Sequence, residues 1–248
     1  MKPKQLIKSA MLHLGDLLYG SRESKVIYYH DIHSKTRFTP MSTPLSLFEK
    51  HLEIIAEERF HVVDEIREEI NETEITFDDG FRGLYENFSA ILEHNVPVRV
   101  FLISDFIGQK DYLTRQEIEE MMATKLLKIG SHTLSHRNLD VMDDEEARKE
   151  LCDSKKRLED LFGTEIESIC YPRGKFNDRT VEIARECGYE KQYSCLPGSY
   201  FRPFKPDMIN RSLVQNAQEK EFRLILKGAD HIFRKRYLQQ QYRSAAHG

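Results

Sequence analysis

Five short apolar runs, KVIYYH (25–30), ITF (75–77), VPVRVFLIS (96–104), LLKIGSH (126–132) and EIESICYP (165–172), alternate along this chain with segments of helical period. Few folds tolerate that order. The helical segments carry Leu45, Phe48, Leu52 and Ile55 behind Thr43 and Pro44, then Leu84, Phe88, Ile91 and Leu92. Further on come Ala147, Leu151, Leu158, Leu161 and Phe162 ahead of Gly163, and finally DRTVEIARECGY. Continuous apolar runs read as strands buried on both faces, and strands separated by helices must pair in parallel. The expected fold class is α/β, with a mainly parallel sheet that is either open or closed as a barrel. Both architectures gather sites at the carboxyl ends of strands. The 248 residues suit one domain, with no repeat or Gly/Ser linker to cut it.

The terminal segments differ from this pattern. Leu6, Ile7, Ala10, Met11, Leu14, Leu17 and Leu18 recur near a 3.6 period before Gly20, which predicts an amphipathic helix over 1–20, packed on the remaining domain at 21–248. The C-terminal stretch has an apolar stripe (Phe222, Ile225, Leu226, Ala229, Ile232, Phe233) beside Arg234, Lys235, Arg236 and Arg243. It reads first as a helix packed on its own domain. Peripheral contact of the terminal helices with anionic lipid is the second reading. No run approaches the roughly 20 apolar residues of a membrane span, and His13 and Asp16 interrupt any secretory pattern. A net charge of -4 gives no general attraction to nucleic acid. Cys152, Cys170, Cys187 and Cys195 lack metal-site spacing and are expected to be reduced thiols, which points to a cytoplasmic location, peripheral at the inner membrane face where lipid is met.

Chemistry concentrates where the strands run out. His30 and Asp31 follow VIYY, Asp78 and Asp79 follow ITF, His132 follows LKIGS, and Tyr171, Pro172 and Arg173 follow ESIC. Parallel strands would bring these ends to one side. SHTLSH spaces His132 and His136 four apart, which on a helical turn puts both imidazoles on one face. Two imidazoles and a carboxylate make a three-ligand site with open positions, suited to zinc and also to non-haem iron. Adjacent carboxylates raise the cost of ionising each other. A cation beside Asp78 and Asp79 relieves that cost, binding one and leaving the other as a base. The alternative is a hydrated DDG turn in which Asp79 caps a helix beginning at Phe81.

With these residues in view, the chain resembles the polysaccharide deacetylase family, the NodB-homology or carbohydrate esterase 4 group. TFDDG at 76–80 and SHTLSH at 131–136 match its first two motifs, and the resemblance runs from Lys25 to Val214. It implies a distorted parallel (β/α)7-type barrel in a single domain with flanking helices, a divalent metal (zinc first) on Asp79, His132 and His136, and Asp78 as catalytic base. In the usual third motif an arginine stands where this chain has Cys170 of CYPRG, and LILKGADH with His231 is a poor match to the usual late histidine motif. VIYYHDI is similar to the circularly permuted branch that includes poly-N-acetylglucosamine deacetylases, which implies that His30 is the acid. Arg211, in INRSLV, resembles that branch's arginine beside the base; Arg173 competes for the same task. Tyr171, Pro172 and Arg173 are the expected substrate-binding loop.

The implied reaction is hydrolysis of an N-acetyl group on an amino sugar, in a glycan or in a lipid- or nucleotide-linked precursor. A carbohydrate O-acetyl esterase, a non-catalytic glycan-binding protein and a two-histidine, one-carboxylate iron oxygenase are the competing classes. Two adjacent aspartates have no obvious use in the last.

Overall fold

The computed structural model describes the backbone of residues 3–243 and the side chains of 5–242, so Arg243, the last basic residue of the expected C-terminal face, lies outside the described side chains. Eight short strands carry the architecture: β1 (Lys25–Tyr29), β2 (Glu72–Phe77), β3 (Val98–Leu102), β4 (Leu127–Ser131), β5 (Ser168–Cys170), β6 (Lys191–Tyr193), β7 (Met208–Ile209) and β8 (Arg211–Leu213). All pair in parallel, in the order β7-β6-β5-β4-β3-β2-β1-β8. Only Asn210 separates β7 from β8. One segment therefore pairs with β6 through its first half and with β1 through its second, which closes a seven-membered parallel ring. Sheet closure leaves no free edge and fixes an inside and an outside.

Side-chain alternation then sorts the residues. Ile27, Tyr29, Ile75, Phe77, Val98, Val100, Leu102, Ile129 and Ile169 belong to the large apolar cluster shared with the helices. Val26, Phe101, Cys170, Tyr193 and Ile209 form a separate cluster inside the ring. Glu74 lies there too, accepting from Arg99 Nε at 2.7 Å and from the Tyr193 hydroxyl at 3.0 Å, so the lumen is packed and its buried charges are paired. Gly130 is glycine for a spatial reason: a Cβ there would lie 2.7 Å from the Phe101 ring.

Several expectations need correction. Pro44 is itself the N-cap of helix Leu45–Glu57 rather than its first residue, and the Thr43 hydroxyl donates to Gln215 O instead of capping. The helix expected over 143–163 carries a π-bulge at Lys149–Asp153. A capped helix, Arg115–Ala123, was not anticipated, although its Thr114/Glu117 capping box is visible in the sequence. The C-terminal helix is broken: Glu219–Leu226, a 3-10 turn at Ala229–Phe233 and Arg234–Gln241, because Gly228 takes φ 91°. Cys152 and Cys187 are joined as a disulfide, contrary to the expectation of four reduced thiols; the bulged helix and the end of helix Asp178–Glu186 bring their Cα atoms to 5.2 Å. Cys170 and Cys195 are free and buried.

The N-terminal helix α1 (Pro3–Tyr19) forms where expected but faces the other way. Leu12 is buried and Gly15 sits so close to Ala229 that a Cβ would lie 2.0 Å from its carbonyl oxygen. The apolar stripe expected to pack inward is exposed instead: Leu6, Ile7, Leu14, Leu17 and Leu18. Close backbone approach at Gly15 selects the small-residue face for packing, and the large side chains are left outside.

Candidate active site

Alternation from the lumen delivers most of the site. His30 continues the inward series Val26, Tyr28; Asp78 continues Glu74, Thr76; His132 follows Gly130; Cys170 and Arg211 face in from β5 and β8. The Asp78 N–H donates to Tyr29 O at 3.0 Å, which ties the ends of β1 and β2 and sets Asp78 beside His30. Asp79, by parity, should point outward. Two successive left-handed residues, Asp79 at φ 72° and Gly80 at φ 80°, turn it back over the barrel mouth. It is buried and caps no helix; the next helix begins at Gly83.

Asp79 Oδ1 lies 3.4 Å from His132 Nε2 and 3.3 Å from His136 Nε2 and has no hydrogen-bond partner. An orphaned buried carboxylate oxygen flanked by two ring nitrogens is costly unless a cation completes it. Donors bonded to one tetrahedral ion at 2.0–2.1 Å stand about 3.3 Å apart, so both distances suit such an ion, and all three ligand atoms lie within 4.8 Å of one another. His132 Nδ1 donates to Cys170 O at 2.7 Å, which fixes the ring with Nε2 directed at the site. Burial, with the His132 ring beside it, pushes His136 down to about 4, so its ring is neutral at neutral pH and able to ligate.

The segment bearing these histidines is a loop and not the expected helical turn, because Thr133 and His136 both take left-handed φ, 65° and 62°. Glu150, in the π-bulge, holds it: its carboxylate accepts from the Ser135 N–H (2.9 Å) and hydroxyl, and its carbonyl from the Leu134 N–H. No sequence signal marked Glu150, since only the bulge turns it inward.

Arg211 grips Asp78 with two parallel bonds, Nη1 to Oδ1 at 2.6 Å and Nη2 to Oδ2 at 2.8 Å. The guanidinium is wholly buried, donates to Ser194 O and Thr76 Oγ1, and lies 4.4 Å from the Tyr28 ring. Burial alone would raise the Asp78 carboxyl; the guanidinium overrides it and holds the group at about 2. Cys170 Sγ lies 2.8 Å from Arg211 Nη2, so the small residue leaves the room that Arg211 fills from across the barrel. Arg173, the other candidate for this task, is exposed and donates to Asn138.

His30 Nδ1 meets Gln215 Oε1 at 2.6 Å; the amide oxygen can only accept, so Nδ1 carries the proton and Nε2 is left for the site. Gln215 follows the end of β8 and was not anticipated. Tyr171 is not a pocket wall. Cys170 points inward, so the next side chain points outward, and the Tyr171 ring is buried against Phe176 with its hydroxyl on Gln192. Pro172 is buried as well. Of the loop's amides, those of Tyr171, Gly174 and Lys175 donate within the fold and Pro172 has none, while Arg173 takes a left-handed φ of 54°. His231 stacks near Tyr19, remote from this cluster.

Asp31 also turns away. It is fully buried beside Gly83, with neither oxygen in hydrogen-bond geometry, and burial pushes it up to about 7, with Ser42 and nearby backbone amides offsetting only part. A carboxyl raised in the folded state costs stability as pH rises from its unfolded pKa to its folded one. Asp31→Asn should therefore gain on the wild type by up to about 4 kcal/mol between pH ~4 and ~7, and stay level above that. Urea unfolding across that range checks it; a pH-independent difference would refute it.

Comparison with known proteins bears on the family and the fold. The family model described as polysaccharide deacetylase matches residues 67–191, half of the chain. YxkH of Bacillus subtilis (strain 168), named as a polysaccharide deacetylase, is 27% identical over 188 residues, 71% of this chain and 66% of its own. The poly-beta-1,6-N-acetyl-D-glucosamine N-deacetylase of Staphylococcus aureus (strain MRSA252) is 30% identical over 134 residues, 48% of this chain and 46% of its own. The chain thus spans between about half and two thirds of the length of these relatives. Among solved structures, Streptococcus pyogenes deacetylase PplD superposes with TM-score 0.72 at 20% identity, covering 83% of this chain and 98% of that one. IcaB from Ammonifex degensii superposes with TM-score 0.73 at 19% identity, covering 84% and 98%. The two sequence motifs, the closed parallel ring and the matched segment together establish that this chain belongs to the polysaccharide deacetylase family.

Proposed function

We propose that the chain is a metal-dependent hydrolase that removes N-acetyl groups from an amino sugar in a glycan or in its lipid- or nucleotide-linked precursor. The carrying observation is the orphaned Asp79 oxygen between two imidazole nitrogens, with a second, clamped carboxylate next to it. Asp79, His132 and His136 would hold a divalent cation, zinc first. When bound, such an ion lowers the pKa of a water and polarises a carbonyl.

The chain's own groups do the rest. Asp78, held ionised and fixed in direction by Arg211, takes the proton of the attacking water. The Arg173 N–H, in the loop after β5, donates to the oxyanion that forms at the former carbonyl. His30, its Nδ1 proton held by Gln215, presents Nε2 to the departing nitrogen and, when protonated, supplies the proton an amine needs to leave. The C–N bond breaks, one water is consumed, and acetate and a free amine result. The name of the Staphylococcus aureus relative supports β-1,6-linked N-acetylglucosamine as the first glycan to try.

The test is acetate release with free amine counted in parallel, on N-acetylated and O-acetylated sugars, before and after metal removal. Equal acetate and amine, lost with the metal and regained with zinc, is expected. Acetate without amine would move the assignment to an esterase.

A further inference from the structure

The outward stripe of α1 is unexplained by the site. Leu6, Ile7, Leu14, Leu17 and Leu18 stand 46–83% exposed, one above another along the helix, at positions where a helix packed by its apolar face would have buried them. The helix is held by its other side, through Leu12, Gly15 and the Lys8–Glu221 ion pair. The stripe is therefore a free surface of the folded domain and not a gap in its core.

What borders it is basic. α1 packs on the turn Ala229–Phe233, which leads directly into Arg234, Lys235 and Arg236, the last two exposed. At the end of α1, the lining of a cavity of about 520 Å³ includes Tyr19, Glu23, Lys25, Arg202, His231 and Arg234, cations outnumbering the one acid. The Ser199 hydroxyl in it is buried and without a partner. The ion pairs of this face cancel in charge, Glu23 with Arg202, Asp230 with Lys25 and Glu221 with Lys8, which leaves Arg234, Lys235 and Arg236 in excess over Asp16. Phe201, next to Arg202, is exposed as well. The overall charge of the chain is negative, so this concentration of cations is local.

We propose that this face is a docking surface for an anionic lipid bilayer, with α1 lying in the interface, its leucines among the acyl chains, and the adjoining basic cavity and Lys235/Arg236 meeting lipid phosphate. An outward apolar stripe bordered by cations is what a peripheral helix requires. No helix among the described residues is long and apolar enough to cross a membrane, so the contact is one of lying on the surface. A second copy meeting the same face would bring the basic run near its own duplicate, which disfavours that occupant. Because α1 descends the flank of the barrel, from Lys8 beside Glu221 to Tyr19 beside His231, docking lays the barrel on its side and turns the mouth along the bilayer plane.

Co-sedimentation of the full chain with vesicles tests this. Wild type should partition at least about tenfold better onto vesicles with roughly a third phosphatidylglycerol than onto pure phosphatidylcholine, and lose that advantage in high salt. Leu17→Ser with Leu18→Ser should cost about tenfold or more on both lipids. Lys235→Gln with Arg236→Gln should cost about fivefold per charge on the anionic vesicles alone. All four positions are exposed, so the melting temperature and hydrolysis of a small water-soluble substrate should not change, and a failed docking test would leave the deacetylase reading intact. Wild type that stays in the supernatant with both lipids, leucine variants that sediment like wild type, or a solution dimer that Leu17→Ser dissociates would each overturn the proposal.

Discussion

Asp78→Asn should abolish turnover while leaving the metal in place. The expected loss in acetate release is about 10²–10⁴-fold, the usual worth of a positioned general base. Metal stoichiometry should be unchanged, because Asp79, His132 and His136 remain. The amide oxygen can still accept from Arg211 Nη1, but the amide nitrogen then faces Nη2, so one of the two bonds seen in the structure is lost. Asp79→Asn makes the contrast, since it should lower activity and metal content together. Elemental analysis of both variants beside their acetate release separates base from ligand. An Asp78→Asn protein that keeps more than about a tenth of its rate would remove Asp78 from that role.

Arg211→Met should be the most destabilising single change in the site. It strips the cation bonded to a buried carboxylate, and breaking such a pair from one side typically costs about 3–5 kcal/mol. The side chain also donates to Ser194 O, Thr76 Oγ1 and the sulfurs of Cys170 and Cys195, so four further contacts lose their donor. The sign for pH follows from the same balance. With the guanidinium gone, burial outweighs the weaker opposing pull of His132 and His30, the Asp78 pKa rises from about 2, and ionising it in the folded state becomes costly as pH rises. Urea unfolding should therefore show a deficit that widens with rising pH up to the new pKa. The double variant Asp78→Asn/Arg211→Met should recover much of the loss, as it leaves no unpaired charge. Equal instability of the single and double variants would mean that the packing of Arg211, rather than its charge, supports the barrel.

Much of the fold was legible because its signals are local. Apolar runs such as VPVRVFLIS and the helical periods between them follow from burial and periodicity alone, and they imply a parallel sheet. Closure was not local. It depends on one segment, Met208–Leu213, pairing on both sides, and its two halves are too short to announce themselves. Among site residues, His30, Asp78, His132 and Cys170 share the strand parity that points them inward, and the TFDDG and SHTLSH motifs mark two of them, Asp78 and His132. Tyr171 was misplaced because that same parity, applied one residue further, sends it outward. Gln215 and Glu150 carry no mark in the chain: a post-strand loop places one and a π-bulge turns the other.

The sequence by itself determined the chemistry available, an α/β order with two carboxylates and two histidines at strand ends, because residue type and alternation are properties of the chain. Tertiary structure decided which arginine reaches the base, how Asp79 is turned back into the mouth and which face of α1 is left outside. Those outcomes depend on ring closure, left-handed turns and the close approach of Gly15 to Ala229, and each of these is set by contacts between residues far apart in the chain.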